Sequence, residues 1–143
     1  MYANITLVHL KKIVGRLLNR RLELAAANRS IENIAIRPAD PMMLVGALSG
    51  GNQQKVVLAK WLIEQPRLLI LNEPTRGIDI AAKDEVMNVI GRLRDQGVPV
   101  LLISSEPEII ERIAGRAVVM RKGRVTAELQ GADLTKPNLM HHA

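Results

Sequence analysis

The sequence contains a serine-glycine turn whose residue types suit phosphate binding. Ser49-Gly50-Gly51 opens a helical pattern. Two glycines let a backbone approach a ligand closely, and the free N–H groups at a helix start favour an anion. The Ser49 hydroxyl adds a further donor, so the turn predicts a phosphate contact. A serine N-cap in a tight turn would have the same sequence, and the residues alone leave both interpretations open.

A second group of residues suited to chemistry follows an apolar run. Residues 68–71 predict a strand buried on both faces, and Asn72-Glu73 comes at its end. The carboxyl ends of parallel strands are where α/β sheets bind ligands. Glu73 could orient a water that attacks a γ-phosphate, while Asn72 would face a metal ion. Both could equally be loop residues that satisfy backbone donors, and Asp79 could be a simple helix cap.

Helical patterns occupy the first part of the chain. Apolar spacing predicts an amphipathic helix from Ile5 to about Asn28, which Gly15 weakens and could divide. Ser30 is a predicted N-cap for a second helical segment. Trp61, on the helix that follows the serine-glycine turn, is interpreted as a core anchor.

Strand patterns occupy the second part of the chain. The runs 68–71 and 100–103 predict parallel strands, because a helical pattern lies between them and such a crossover returns the chain in the same direction. Residues 117–120 and 124–129 predict a hairpin, and Thr135 precedes a last short helix. The order of these elements predicts an α/β fold.

Composition limits the possible functions. The 143 residues suit one domain or less, and the absence of cysteine excludes disulfides and thiolate chemistry. No apolar run approaches the roughly 18 residues of a membrane span, so we expect no direct membrane span and a cytoplasmic chain. Residues 1–37 hold seven Lys or Arg against two Glu. Without interleaved aromatics or a nucleic-acid motif, this basic segment predicts a solvated helix face and no nucleic-acid partner.

The motifs together resemble a known family. Residues 48–56, Leu-Ser-Gly-Gly-Asn-Gln-Gln-Lys-Val, residues 71–79, Leu-Asn-Glu-Pro-Thr-Arg-Gly-Ile-Asp, and Ser104-Ser105-Glu106 resemble the ATP-binding cassette (ABC) of transporters. Specifically, they resemble the second cassette of bacterial monosaccharide importers of the ribose, galactose and xylose type. This resemblance implies a partial P-loop NTPase fold, with a helical subdomain segment over residues 1–47. The signature helix and the C-terminal half of the parallel-sheet core, ending in a hairpin and a short helix, would follow over residues 48–143.

The resemblance also implies site residues. The signature loop, which contacts the γ-phosphate of an ATP held by the opposite cassette, would comprise Ser49, Gly50, Gly51, Asn52 and Gln53. Glu73 matches the catalytic glutamate, and Asp79 matches the D-loop aspartate that crosses the dimer interface. Ser105 occupies the position of the switch histidine. The implied cofactors are ATP and Mg²⁺, and the implied partners are the opposite cassette and the membrane permease subunits of a sugar importer, at the inner face of the plasma membrane.

Two departures from the family pattern limit these expectations. Asn72 stands where the family has aspartate, which removes a charge facing Mg²⁺ and predicts weaker metal binding. The sequence contains no Gly-x-x-x-x-Gly-Lys-Ser/Thr phosphate loop. We therefore expect that the chain alone does not hydrolyse ATP, and that the unpaired sheet edges make it marginally stable.

Two other functions are possible. The first is a non-enzymatic remnant that acts as an interaction module, with Asn72 and Ser105 as signs of decay. The second is the C-terminal lobe of a chromosome-structuring or DNA-repair ATPase. Such chains carry a long coiled coil ahead of the signature, whereas only residues 1–47 precede it here.

Overall fold

The computed structural model describes residues 1–14 and 19–143, which form two compact units. The first, called the helical unit, combines Met1–Leu68 with Thr75–Val98. The second, called the sheet unit, combines Leu69–Pro74 with Pro99–Ala143. Both units are discontinuous in sequence. The division of the chain between residues 47 and 48 stays a prediction.

The described residues of the helical unit form five α-helices. They are α1 (Tyr2–Thr6), α2 (Leu10–Val14), α3 (Arg20–Ile34), α4 (Gly50–Trp61) and α5 (Ile80–Asp95), with 3₁₀ turns at Leu7–His9 and Val45–Ala47. Helix α1 packs against α3 and α4, and α4 packs against α5. The largest fully buried apolar side chains are Ile5, Ile31, Ile36, Leu58, Val86, Met87 and Ile90. Among the described residues, no helix has the length and apolar character needed to cross a membrane.

Helix α3 continues through the boundary that the sequence pattern places between two helices at Ser30. The Asn19 side chain accepts hydrogen bonds from the N–H groups of Arg21 and Leu22, so Asn19 is the N-cap. The prediction that Ser30 caps a separate helix is wrong, because Ser30 lies buried inside α3. The helix ends at Ile34, and its C-cap Ala35 has a left-handed φ of 54°. The expected break at Gly15 lies outside the described residues.

Helices α4 and α5 begin where the sequence predicts. The Ser49 hydroxyl and the Asp79 carboxylate are their N-caps, and Gly97, with a φ of 83°, follows the end of α5. The interpretation of Trp61 as a core anchor is wrong, since its side chain is 50% exposed. Trp61 is the last residue of α4, where its ring lies beside the Lys60 ammonium.

Helix α4 also carries a buried cation. Lys55 is only 5% exposed, and its Nζ donates hydrogen bonds to Glu85 Oε2 at 2.6 Å and to the Ala35 carbonyl at 3.1 Å. A buried ammonium is stable only when it is paired and hydrogen-bonded, and these two acceptors meet that requirement. One side chain therefore connects the C-terminal end of α3 with α4 and α5.

The sheet unit contains two separate pairs of strands. Strands β1 (Leu69–Asn72) and β2 (Val100–Ile103) are parallel, as predicted, while β3 (Arg116–Arg121) and β4 (Arg124–Gln130) form the predicted antiparallel hairpin. Helix α6 (Pro107–Ile113) precedes the hairpin, and α7 (Lys136–His142) follows it with Thr135 as its N-cap. The hairpin and α7 share a core of Val119, Leu129, Leu134 and Leu139.

An ion pair joins the two helices of the sheet unit. Lys136 Nζ lies 2.6 Å from Glu108 Oε1. The hydrogen bond that Lys136 Nζ donates to the Glu108 carboxylate raises the pKa of Lys136 above its usual value. Both side chains are about half exposed, so the pair has only a small effect on stability.

The β1–β2 pair is covered on one face only. Leu69 and Leu71 are buried, whereas Ile70 is 59% exposed. Its register partner Leu101, and Ile103 two residues later, are each about half exposed. The prediction that the first strand is buried on both faces is therefore wrong for this chain, because the side chains of its second face stay open to solvent.

We predict that Gly51→Ala destabilises the helical unit. An added Cβ would lie 2.5 Å from the Ala82 Cβ, closer than real Cβ atoms approach one another. Helix propensity alone would favour alanine by about 1 kcal/mol, but overpacking costs about 1–3 kcal/mol. We therefore expect the steric effect to outweigh the propensity and to lower the free energy of unfolding. The measurement is the free energy of unfolding of the purified chain in urea.

Gly46→Ala is the matched control, since an added Cβ there meets no atom within 4 Å. It should change the free energy of unfolding by less than about 0.5 kcal/mol. The double variant Gly51→Ala/Ala82→Gly should recover part of the loss, because it removes the atom with which the new Cβ collides. A Gly51→Ala chain as stable as the parent would contradict the packing described here.

Candidate functional site

The first two residues of the serine-glycine turn, Ser49 and Gly50, are exposed at the N-terminus of α4. Ser49 Oγ accepts a hydrogen bond from the backbone N–H of Asn52 at 3.5 Å and another from Asn52 Nδ2 at 3.0 Å. Gly50 lies beside the Ile78 side chain, and Gly51 is buried against Ala82. The first N–H groups of a helix have no partner within the helix and carry its positive end. The turn therefore offers donors and a favourable field to an anion.

The side chains of Asn52 and Gln53 are engaged within the helical unit. Asn52 Oδ1 accepts from the backbone N–H of Arg37 at 2.8 Å, and Gln53 Nε2 donates to the Leu48 carbonyl at 2.9 Å. Both amides are half-buried. These hydrogen bonds stabilise the conformation of the turn. Their assignment to nucleotide binding stays a prediction.

Asp79 lies in the same unit as the turn. Its Oδ1 accepts from the Ala82 N–H at 2.8 Å, so it acts as the N-cap of α5. Ala82 is also the residue against which Gly51 packs. Ala82 thus contacts both the serine-glycine turn and Asp79. The D-loop role of Asp79 stays a prediction.

Glu73 is held firmly in the sheet unit, at the end of β1. Its N–H donates to the Ile103 carbonyl at 2.8 Å, and its Oε1 accepts from the Ser105 N–H at 2.8 Å. Its φ of 47° is left-handed, a conformation that costs a non-glycine residue about 1–2 kcal/mol. The two hydrogen bonds to the end of β2 stabilise this conformation. Strain of this kind is concentrated at functional sites.

Ser105 contacts Glu73 through its main chain. The N–H of Ser105 donates to Glu73 Oε1, while the Ser105 side chain is exposed. The neighbouring Ser104 Oγ accepts from the Glu106 N–H and so shapes the loop after β2. The bond uses one carboxylate oxygen of Glu73, and a carboxylate has a second oxygen that can accept from a water. The arrangement suits a general base held in a fixed position.

Asn72 precedes Glu73 as the last residue of β1 and is exposed. Its amide carbonyl is one neutral oxygen ligand. Within residues 1–14 and 19–143, no group of three or more His, Asp or Glu side chains could hold a metal ion. These residues do not complete a metal site by themselves.

The sequence-predicted residues thus fall into two groups. The turn residues and Asp79 belong to the helical unit, while Asn72, Glu73 and Ser105 belong to the sheet unit. Sequence reasoning missed Arg37 and Lys55 as supports of the turn. The sequence signal for Lys55 was a lysine among the apolar residues of the buried face of α4. The main-chain donor of Arg37 has no sequence signature.

Relatives of this chain include import ATP-binding proteins. It is 46% identical to the ribose import ATP-binding protein RbsA of Roseobacter denitrificans, over 100% of this chain and 28% of the relative. It is 43% identical to the xylose import ATP-binding protein XylG of Geobacillus kaustophilus (96% of this chain, 27% of the relative) and of Escherichia coli O6:K15:H31 (98% and 28%). The chain therefore spans little more than a quarter of the length of these relatives.

Solved structures of ATP-binding cassettes have the same fold. An ATP-binding cassette of an ABC transporter superposes with a TM-score of 0.79 at 18% identity, covering 98% of this chain and 60% of that one. CbiO1 from Clostridium perfringens, part of the ABC transporter complex CbiONQ, gives a TM-score of 0.70 at 22% identity, covering 89% and 49%. These similarities confirm the predicted partial P-loop NTPase fold.

A protein-family model described as ABC transporter matches residues 5–76, half of the chain. The match includes the serine-glycine turn, α4, β1 and Glu73. Together with the motifs and the fold, it shows that this chain belongs to the ABC transporter family.

Proposed function

We propose that this chain is part of the ATP-binding subunit of an ABC-type sugar importer. Within a complete subunit it would couple ATP hydrolysis to carbohydrate uptake. Its partners would be the opposite cassette and the membrane permease subunits, and its location would be cytoplasmic at the inner face of the plasma membrane. The sugar-import part rests on the relatives, which are ribose and xylose import ATP-binding proteins.

The observation that carries the catalytic part is the geometry of Glu73. Its carboxylate is fixed at the carboxyl end of β1 by the Ser105 N–H, in a conformation that the end of β2 stabilises. A general base must be held within hydrogen-bonding reach of the water it activates. Glu73 would orient and polarise the water that attacks the γ-phosphate.

The serine-glycine turn would act on the phosphate of the opposite cassette. The exposed Ser49 hydroxyl, the positive end of α4 and the backbone N–H groups at Gly50 and Gly51 together suit an anion. Asp79 would support this arrangement from α5. The sequence contains no phosphate loop, so the chain would bind ATP tightly only together with a segment that carries such a loop.

Mg²⁺ would accompany the ATP. Asn72 offers one neutral oxygen, and the residues that the structure describes hold no acidic cluster. Most ligands would therefore come from the triphosphate, from water and from the part of the subunit that carries the phosphate loop.

A chimeric subunit tests the role of Glu73. In it, this chain replaces the segment that it matches in the Escherichia coli xylose import ATP-binding protein. We expect the chimera to hydrolyse ATP, and Glu73→Gln to reduce turnover by about a hundredfold or more, because glutamine accepts a hydrogen bond but does not take up a proton. The measurement is steady-state phosphate release together with ATP affinity, which should be retained.

Glu128→Gln is the matched control for this experiment. Glu128 is an exposed residue of β4 that pairs with Arg116, so its change should leave turnover within about twofold. If the Glu73→Gln chimera turned over ATP at the parent rate, the catalytic assignment of Glu73 would be wrong. If the parent chimera had no turnover, the chain would be better described as a non-enzymatic remnant.

Asn72→Asp tests the metal argument in the same chimera. A carboxylate restores the negative charge next to the expected Mg²⁺ position, so the Mg²⁺ concentration for half-maximal turnover should fall, on the order of tenfold. Asn72→Ser, a neutral change, should not lower it. An unchanged Mg²⁺ requirement in the aspartate variant would show that residue 72 does not face the metal.

A further inference from the structure

Asn52 occupies an unusual position in the serine-glycine turn, because its side chain bonds in two directions. On one side its Oδ1 accepts from the Arg37 backbone N–H at 2.8 Å. On the other side its Nδ2 donates to Ser49 Oγ at 3.0 Å. A backbone N–H can only donate, so the atom facing Arg37 must be the amide oxygen. The atom facing Ser49 must then be the amide nitrogen, which can only donate.

Ser49 Oγ consequently receives two hydrogen bonds from the same residue. The second comes from the Asn52 backbone N–H at 3.5 Å. A hydroxyl has two acceptor lone pairs and one proton. With both lone pairs occupied by N–H donors, the remaining direction of the Ser49 hydroxyl is its O–H, which can only donate. Ser49 is exposed, so this donor can reach a ligand outside the turn.

The segment that orients Asn52 is itself anchored. Arg37 follows Ala35 by two residues, and the Ala35 carbonyl accepts from the buried Lys55 Nζ at 3.1 Å. Between them, Ile36 is fully buried. The hydrogen bond from Lys55 and the burial of Ile36 therefore hold the Arg37 N–H in place. This N–H in turn fixes the amide orientation of Asn52.

We infer that Asn52 is a positioning residue that makes the Ser49 hydroxyl an obligate donor toward an anion. This inference rests on the proposed function, in which that anion is the γ-phosphate of ATP held by the opposite cassette. Asn52 acts through Ser49 and does not itself need to touch the nucleotide. An acceptor at position 52 would reverse the effect, since it would capture the Ser49 proton and turn the hydroxyl away from the phosphate.

Asn52→Asp is the decisive variant because it keeps the shape of the side chain and replaces the amide donor with a carboxylate oxygen. Its carboxylate still accepts from Arg37, but it accepts the Ser49 proton as well. In the chimeric subunit we expect a loss of turnover comparable to that of Ser49→Ala, on the order of a hundredfold for one oxyanion donor. The double variant Ser49→Ala/Asn52→Asp should lose no more than about threefold beyond Ser49→Ala alone, because the two changes remove the same donor.

The double variant separates this inference from a charge effect. If the new carboxylate acted by repelling phosphate or by disturbing the fold, Asn52→Asp would reduce turnover again in the Ser49→Ala background, and the inference would be overturned. Gln54→Glu adds the same charge two residues later on α4 and is the matched control, with a smaller expected loss than Asn52→Asp.

Hydrogen exchange gives a second readout that needs no nucleotide. In the unliganded chimera the Arg37 amide should be protected in the parent and in Asn52→Asp, and should exchange about tenfold faster or more in Asn52→Ala, which has no acceptor. Equal Arg37 exchange in the parent and Asn52→Ala would overturn the amide orientation and the inference, whatever the turnover. A parent chimera with no turnover would overturn the proposed function, while the exchange pattern would still decide the orientation of Asn52.

Discussion

The approach of Gly51 to Ala82 is the contact on which the arrangement of the helical unit depends. Only a residue without a side chain permits it, since a Cβ on residue 51 would lie 2.5 Å from that of Ala82. One turn later on the same face of α4, Lys55 meets Glu85, which lies one turn after Ala82 on α5. The two helices are therefore joined along a full turn, by close packing at one end and by a buried cation at the other.

This contact has consequences for the residues suited to chemistry. Ala82 is also the residue whose N–H the Asp79 carboxylate caps, so the serine-glycine turn and Asp79 share a common support. Lys55 extends the same connection to the end of α3 through the Ala35 carbonyl, and the chain there supplies the donor that orients Asn52. Glu73 is supported differently. Its strained backbone and its carboxylate are both fixed by the end of β2, so its position depends on the pairing of two parallel strands.

Local signals in the sequence predicted much of this structure. Ser49, Asp79 and Thr135 each cap the helix that follows them, because a short polar side chain satisfies a helix N–H whatever the tertiary context. The same rule failed at Ser30, since Asn19 supplies the cap and buried residues on both sides of Ser30 continue the helix. The parallel pairing of β1 and β2 also followed from the order of elements.

The remaining features depend on contacts between distant residues. Trp61 and Ile70 are apolar, yet their side chains are 50% and 59% exposed. Burial depends on what covers a surface and not on the residue type alone. The bond from Arg37 to Asn52 joins residues 15 apart and involves a main-chain donor, which no side-chain pattern records. The partner of Lys55 is 30 residues away. Such pairings determine the geometry of the candidate site, and only the folded chain displays them.

The most direct test of the central claim, that this chain supplies only part of a nucleotide site, is an equilibrium measurement of ATP binding. It compares the purified chain with the chimeric subunit that carries a phosphate loop. The account predicts no saturable binding to the chain alone below about 1 mM, and binding in the micromolar range to the chimera, a difference of roughly 4 kcal/mol in binding free energy. Micromolar binding by the chain alone, with hydrolysis that Glu73→Gln abolishes, would contradict it.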